Sequence, residues 1–264
     1  MLPISCSPTI CCHQSKNKPY KNITPTIFEQ YRDVDMTLGL SASHDDLRTD
    51  GTASSSLQSQ SGTYNELSTN YGIAFDRRNR AFNPTSGSIV TLGQSFPIYA
   101  DKAFVANKFT TSVYKTLNED VIGAAKLYLT SIDGFGSDDV RLSKRANLSS
   151  RRLRGFERNK IGPVDGTDYV GGNRSAALNL EANFPNLLPD DTGVDISTFL
   201  DFGNLWGVDY DDTIDESNKI RSSTGVLANW RSPIGPMSFV FSKNISKADT
   251  DETQGFSFNL GTTF

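Results

Sequence analysis

Arginine and lysine are concentrated in one stretch of a chain that is acidic overall. The 264 residues carry a formal net charge of −4, yet residues 139–160 contain only Asp139 and Glu157 as acids. The bases in that stretch are Arg141, Lys144, Arg145, Arg151, Arg152, Arg154, Arg158 and Lys160. Guanidinium groups bind carboxylates or phosphates bidentately and remain charged. The stretch is therefore suited to recognising buried acids or anions, and the alternative is a solvated basic loop.

Histidine and cysteine are too few and too poorly placed to build a catalytic centre. His13 and His44 are the only histidines, and the three cysteines, Cys6, Cys11 and Cys12, all lie in the first twelve residues. No second cysteine pair or histidine spacing completes a zinc site. We therefore predict no metal, no cofactor and no enzymatic activity, and expect no role for the cysteines in the fold.

Alternation of apolar and polar residues with a period of two predicts an all-β protein from about Asn22 onward. In 173–184 the even positions are apolar and the odd ones mostly polar, and 194–202 repeats this pattern. Asp45-Asp46 is predicted to be a turn. Strands are predicted near 34–40, 67–75, 88–98, 103–117, 120–134, 173–184, 194–202, 219–230, 236–245 and 255–264. A weak, Ser-rich segment at 53–60 brings the number to about eleven, with a further candidate at 22–30.

The remaining segments define the domain organisation. Residues 1–19 have no periodicity and are predicted to be disordered or non-native, and residues 20–264 form one β-domain. The start of the chain has no charged region followed by an apolar one, so it does not resemble a secretion signal. If the rest of the chain is a secreted barrel, we expect that the true N-terminus has been lost. Residues 136–171 form a long inserted loop, and a loop of this length in a compact domain is usually functional.

Two architectures fit such strands, a soluble sandwich or a transmembrane barrel. The mean hydropathy is −0.40, and no window approaches the roughly 18 apolar residues of a membrane helix, but membrane strands need only about 9–11 alternating residues. The less apolar face is rich in Asn, Ser, Thr and Gly, with single carboxylates, as in a hydrated lumen. Short links alternate in part with long polar ones. We therefore predict an antiparallel transmembrane β-barrel.

Several motifs resemble, in order, those of the BamA-type outer-membrane assembly factors, also called bacterial surface antigens. Arg154-Gly155-Phe156 is similar to the motif of the sixth loop in that family. The other shared segments are 76–77, 82–87, 161–163, 170–173, 180–185, 199–206, 223–225, 230–236 and the Phe-rich last strand. The similarity is strong over 65–264 and weak before it.

The resemblance implies a fold, a location and partners. It implies the C-terminal part of a sixteen-stranded barrel, with 11–12 strands present, in the bacterial outer membrane. The POTRA domains of the family have no counterpart in this sequence. The implied partners are outer-membrane lipid, lipopolysaccharide, unfolded outer-membrane clients and accessory assembly lipoproteins. No recognition helix or interleaved aromatic pattern points to nucleic acid.

The resemblance also assigns roles to individual residues. The sixth loop of the family folds into the lumen, which places Arg154 opposite Glu181 and Asp201, and the alternation puts both acids on the polar face of adjacent strands. Gly155 would allow the close turn, and Phe156 would fill a gap in the lumen. The terminal strand resembles an outer-membrane insertion signal that also closes the barrel; its residues are Gly255, Phe256, Phe258, Leu260 and Phe264.

The implied function is insertion of outer-membrane β-barrel proteins by strand templating at the barrel seam. Two alternatives remain at this point. One is a two-partner secretion translocator or passive pore, since those relatives share the loop motif. The other is a soluble β-sandwich enzyme, which the lack of a catalytic cluster disfavours.

Overall fold

The computed structural model describes residues 30–31, 33–214, 218–233 and 235–260. The predictions made for residues 1–19, for nearly all of the candidate strand at 22–30 and for Phe264 lie outside the described residues.

The described chain is built from antiparallel strands, as predicted. They are β1 Gln30–Tyr31, β2 Val34–Leu47, β3 Gly62–Asp76, β4 Gly87–Ala100, β5 Phe104–Asn118, β6 Val121–Gly134, β7 Val164–Asp165, β8 Asp168–Tyr169, β9 Arg174–Phe184, β10 Val194–Trp206, β11 Arg221–Ser232, β12 Gly235–Ser246 and β13 Phe256–Leu260. Among the residues described, helix is limited to α1, Ser55–Gln58, which lies in the weak segment at 53–60, and to the 3-10 turns Leu142–Lys144 and Asp190–Thr192. In the described part of the chain, no helix has the length and apolar content to cross a bilayer.

In the part of the chain that the structure describes, eleven strands form one sheet, and their order in the sheet follows their order in the chain. The order is β1-β2-β3-β4-β5-β6-β9-β10-β11-β12-β13. Pairing of β6 with β9 spans the inserted loop, inside which β7 and β8 form a hairpin of their own. Among the described residues β13 pairs only with β12, so one of its backbone edges has no strand beside it.

The two faces of the sheet differ as the alternation requires. Large apolar side chains on one face are exposed along the whole sheet, among them Met36, Leu38, Leu92, Val113, Leu129, Leu180, Val226, Phe241 and Phe258. The opposite face carries Glu181 and Asp201 and is covered by the inserted loop. Exposed apolar residues in this number are the pattern of a lipid-facing surface.

The connections also differ between the two ends of the sheet. The segments 48–61, 135–173, 207–220 and 247–255 emerge at one end, together with the short link 101–103. At the other end, the links 119–120 and 233–234 are short, whereas 77–86 and 185–193 are longer. The sheet therefore has one end with most of the long connections, and the inserted loop belongs to it.

The inserted loop folds back onto the inner face and forms an apolar core with it. Val140, Ala146, Leu148, Leu153, Phe156 and Ile161 of the loop pack with Phe104, Ala106, Ile132, Ala177 and Leu205 of the strands. This part of the interior is apolar, whereas the polar face of the strands predicts a hydrated lumen. The reason is that the loop supplies apolar partners to inward-facing residues near the end that carries the long connections.

The turn predicted at Asp45-Asp46 is wrong. β2 continues through both residues to Leu47. Asp45 stays in the strand because its inward-facing carboxylate lies 3.5 Å from Arg141 and 3.6 Å from Lys144 of the inserted loop. A tertiary ion pair thus overrides the local turn preference of aspartate.

Candidate functional site

Arg154 lies in the middle of the inserted loop and is paired with Asp201 on β10. Its Nε donates to Asp201 Oδ2 at 2.7 Å and its Nη2 to Oδ1 at 2.6 Å. Its backbone N–H also donates to Asp201 Oδ2, at 3.1 Å. The side chain of Asp201 is 0% exposed and that of Arg154 is 6% exposed. This bidentate geometry suits a guanidinium better than an ammonium group.

A second acid and a second base complete the group. Glu181 Oε1 on β9 lies 2.9 Å from Arg154 Nη1, and Glu181 Oε2 accepts a hydrogen bond of 2.6 Å from Lys126 Nζ on β6. We call Lys126, Arg154, Glu181 and Asp201 the ion cluster. Its two cations and two anions balance, which is the condition under which buried ions are tolerated.

The strand registers explain why these side chains meet. Lys126 is opposite Asn179, Asn179 is opposite Asp201, and Asp201 is opposite Ser223. One row of inward-facing polar residues therefore crosses β6, β9, β10 and β11. Within it, Asn179 Nδ2 donates to Asp201 Oδ1 at 2.7 Å, and Ser223 Oγ donates to the carbonyl oxygen of Arg154. The residues of this row bind the inserted loop.

Gly155 and Phe156 continue the contact. Gly155 has a φ of +89°, and a Cβ atom there would lie 3.2 Å from Ser223 Cβ and 3.3 Å from Ser242 Oγ. Both the backbone conformation and the space favour glycine. The Phe156 side chain is buried in the apolar core between the loop and the strands. The three predicted motif residues thus have three different contacts with the inner face.

An aromatic ring lies beneath the guanidinium. Arg154 Cζ is 3.8 Å from the centroid of the Phe199 ring on β10, a cation–π arrangement. Burial alone would lower the pKa of Arg154, but hydrogen bonding to Asp201 and the charges of Asp201 and Glu181 outweigh it and raise that pKa. The arginine therefore keeps its charge inside the protein.

The base of the inserted loop has a separate ionic anchor on the first hairpin. Arg141 Nη2 donates to Glu66 Oε2 on β3 at 2.7 Å, and Lys144 Nζ lies 2.9 Å from the same oxygen. Arg145 is paired with Asp209 at 3.1 Å, and burial lowers the pKa of Arg145. The basic residues are among those predicted from the sequence, whereas Asp45, Glu66 and Asp209 are not, since a single acid on a strand or in a long connection has no distinguishing pattern.

The other missed residues of the site carried a weak signal. Lys126 is an isolated lysine on the inward-facing side of β6, and Asn179 and Phe199 fall on the polar face that the alternation defines. Phe199 was the apolar exception on that face. An apolar residue on the polar face of a strand indicates a position that another part of the protein covers, so that water does not.

The predicted C-terminal residues form an exposed row. Phe256, Phe258 and Leu260 lie on β13 and face outward. Phe256 packs against Phe241 and Phe258 against Phe239, each with ring centroids 5.1 Å apart. Gly255 directly precedes the strand, and its carbonyl oxygen accepts from the backbone N–H of Ser242 at 2.8 Å.

In the described residues, no group of three or more His, Cys, Asp or Glu is arranged to hold a metal ion.

Comparison with known proteins defines the class to which this architecture belongs. The model of the Omp85 superfamily domain matches residues 21–264. The structure of BamA from Haemophilus ducreyi lacking POTRA domains 1–3 aligns with a TM-score of 0.77 and 25% identity, covering 88% of this chain and 51% of that one. The predicted transmembrane β-barrel class is thereby confirmed. The chain belongs to the Omp85 superfamily.

Similar sequences carry the name outer membrane protein assembly factor BamA. The protein from Neorickettsia risticii is 26% identical over 238 residues, which cover 88% of this chain and 32% of that protein. The protein from Neisseria meningitidis serogroup B is 33% identical over 141 residues, covering 42% and 17% respectively. The predicted resemblance and the bacterial outer-membrane location are confirmed. The chain spans about a third of the first relative's length and less of the second's.

Proposed function

We propose that this chain is the barrel part of a factor that assembles β-barrel proteins in the bacterial outer membrane. It acts by offering the free edge of its last strand to a client strand, and involves no bond chemistry. The proposal is supported by the relatives, whose names state outer membrane protein assembly. Unfolded barrel proteins are the proposed clients, and membrane lipid, lipopolysaccharide and accessory lipoproteins are the proposed surroundings.

The observation that carries the proposal is the pairing of β13. This five-residue strand is bonded to β12 on one side, and within the described residues no strand lies on its other side. An open strand edge presents unpaired N–H and C=O groups, which cost several kcal/mol each in hydrocarbon. A client strand added there would satisfy these groups, as in other cases of β-augmentation.

The ion cluster has a supporting role in this proposal. By holding the inserted loop on the inner face, Arg154 keeps apolar side chains of the loop packed in the interior, where they take up space that a pore would need. A filled interior is an argument against the alternative of a passive pore. The two-partner secretion alternative shares the loop motif, and the identity of the trapped substrate distinguishes it from an assembly factor.

Disulfide trapping tests the proposal. In a background with Cys6, Cys11 and Cys12 replaced by serine, Ser257→Cys places a thiol on β13, and Ser238→Cys places one on β12, which is paired on both sides. The full chain is reconstituted in liposomes with an unfolded barrel client that carries one cysteine in its own last strand. We expect cross-linking to Ser257→Cys and none to Ser238→Cys.

Three results would count against the proposal. Equal cross-linking at both positions would mean that the client has no preference for the free edge. No cross-linking at either, although the client is inserted, would mean that insertion takes another route. Trapping of an unfolded secreted protein in preference to the barrel client would favour the secretion alternative.

A further inference from the structure

A further buried ion pair fixes the connection between β12 and β13. Arg221, the first residue of β11, directs its Nε to both carboxylate oxygens of Asp251, at 3.0 and 2.8 Å, and both side chains are 0% exposed. Asp251 Oδ2 also accepts the backbone N–H of Ala248 at 2.6 Å. Burial of this degree is costly for ions unless they are paired and hydrogen-bonded. The pair therefore holds residues 248–251 in one conformation.

The same connection is bonded through its backbone to the inserted loop. Gln254 N–H donates to the carbonyl oxygen of Gly155, Glu157 N–H to that of Glu252, and Glu252 N–H to that of Lys160, each at 3.0 Å. Phe156 and Thr253 form an antiparallel bridge between these bonds. The residues involved follow Arg154 directly, so docking of Arg154 and pairing of this ribbon engage one continuous segment.

The connection then leads straight into the edge strand. One residue separates Gln254 from Phe256, and Gly255 already pairs with Ser242 of β12. Within the described residues, which end at Leu260, β13 has five paired residues, whereas β2 and β3 share fourteen. A short strand with one free edge is held weakly by its own ladder. Contacts of the residues directly before β13 therefore contribute much to holding it against β12.

We propose that the connection 247–255 is a latch that couples docking of the inserted loop to the pairing of β13, and that Arg221 and Asp251 are its positioning residues. With the loop docked, the ribbon and the buried pair hold β13 against β12. When either is lost, β13 frays and is released for pairing with an extended client strand. The role given to the released strand rests on the proposed function. The coupling between loop docking and the pairing of β13 can be measured without a client.

Amide hydrogen exchange of the full chain in lipid nanodiscs tests the latch. Asp251→Asn removes one charge with little change of shape, and Asp249→Asn is the matched control because Asp249 is exposed in the same connection. We expect amide exchange in Phe256–Leu260 to rise about tenfold or more in Asp251→Asn, since buried Arg221 loses the carboxylate that balances its charge. Exchange in β9 and β10 should stay unchanged, and Asp249→Asn should behave like the wild type.

A milder variant keeps the test decisive if Asp251→Asn folds poorly. Arg221→Lys retains a cation but loses the planar fork, and we expect a smaller rise that is still confined to β13. Uniform acceleration of β9, β10 and β13 in both variants would overturn the proposal, because the pair would then hold the whole sheet. Wild-type exchange of β13 in both variants would overturn it as well.

A double-mutant cycle tests the coupling itself. Arg154→Ala should accelerate exchange in β13, and the double variant Arg154→Ala/Asp251→Asn should be no faster than the faster single variant. Additive effects on the logarithm of the rate would mean two independent contributions and would refute the latch. If the exchange results support the latch but Ser257→Cys traps no client, the proposed function fails while this inference stands. If Ser257→Cys traps the client but the exchange results contradict the latch, the proposed function stands and this inference fails.

Discussion

Arginine at position 154 is demanded by geometry as well as by charge. Its Nε and Nη2 hold the two oxygens of Asp201, while Nη1 reaches Glu181. A lysine has no planar fork with which to span two carboxylates on neighbouring strands. The site therefore distinguishes the two basic residues by shape.

Replacement of Arg154 by alanine should release the loop. The change leaves Asp201 and part of Glu181 buried without a cation, at a cost of about 3–5 kcal/mol. Limited proteolysis measures the outcome, and we expect cleavage within 139–160 to become faster. Arg151→Ala, in an exposed position of the same loop, is the control, and equal cleavage of the two variants would contradict the assignment.

Alkaline conditions should leave the loop docked. The pKa of Arg154 is raised in the folded state, so its contribution to stability is complete below the pKa of the unfolded chain and is lost only as the pH rises through the still higher folded value. Protease protection of the loop should thus be the same at about pH 7 and about pH 10. Loss of protection within that interval would show that a group of lower pKa holds the loop.

At the scale of elements, the inserted loop is a strap across the inner face. Arg141 and Lys144 bind the hairpin of β2 and β3, Arg154 binds β9 and β10, and residues 155–160 bind the connection before β13. β2 and β13 belong to opposite margins of the sheet. Because one loop contacts both regions, the sheet must curve around it.

Removing the charge of Glu66 should loosen the part of the inserted loop that contains Arg141 and Lys144. Glu66→Gln leaves Arg141 and Lys144 with Asp45 as their remaining acid, at a cost of about 3 kcal/mol for a buried pair. Amide exchange across Arg141–Arg145 should accelerate, whereas β9 and β10 should keep their protection. Glu119→Gln, exposed in the short link between β5 and β6, should change nothing; an effect of similar size there would argue against a specific anchor.

At the scale of the whole molecule, the outward row of apolar side chains determines the orientation in the membrane. Phe258 is 47% exposed and is paired with Phe239 on the outer face. Its neighbour Ser257 lies opposite Val240 and points inward. Two adjacent residues of one strand therefore face the lipid side and the interior, respectively.

Charge placed at these two positions should have opposite consequences. Phe258→Arg puts a cation into hydrocarbon and should destabilise the folded chain by about 2–4 kcal/mol, whereas Ser257→Arg should cost much less. Urea unfolding in liposomes measures the difference. A larger cost for Ser257→Arg would invert the assignment of the two faces.

The sequence by itself determined the strands, their faces and the candidate residues of the loop motif. A period of two is a local property, so Glu181 and Asp201 could be assigned to one face and the strands located to within a few residues. The family motif added the expectation that Arg154 lies opposite them, and the structure brings these groups together at 2.6–2.9 Å.

Only the tertiary structure decided the partners of irregular segments. Asp251 is 30 residues from Arg221 and lies in a connection without periodicity, and Glu66 is 75 residues from Arg141. Lys126 and Asn179 became neighbours through the register of β6 and β9 across the inserted loop. Such pairings depend on how the whole sheet curves around the loop, and that curvature is the sum of many long-range contacts that no short stretch of sequence encodes.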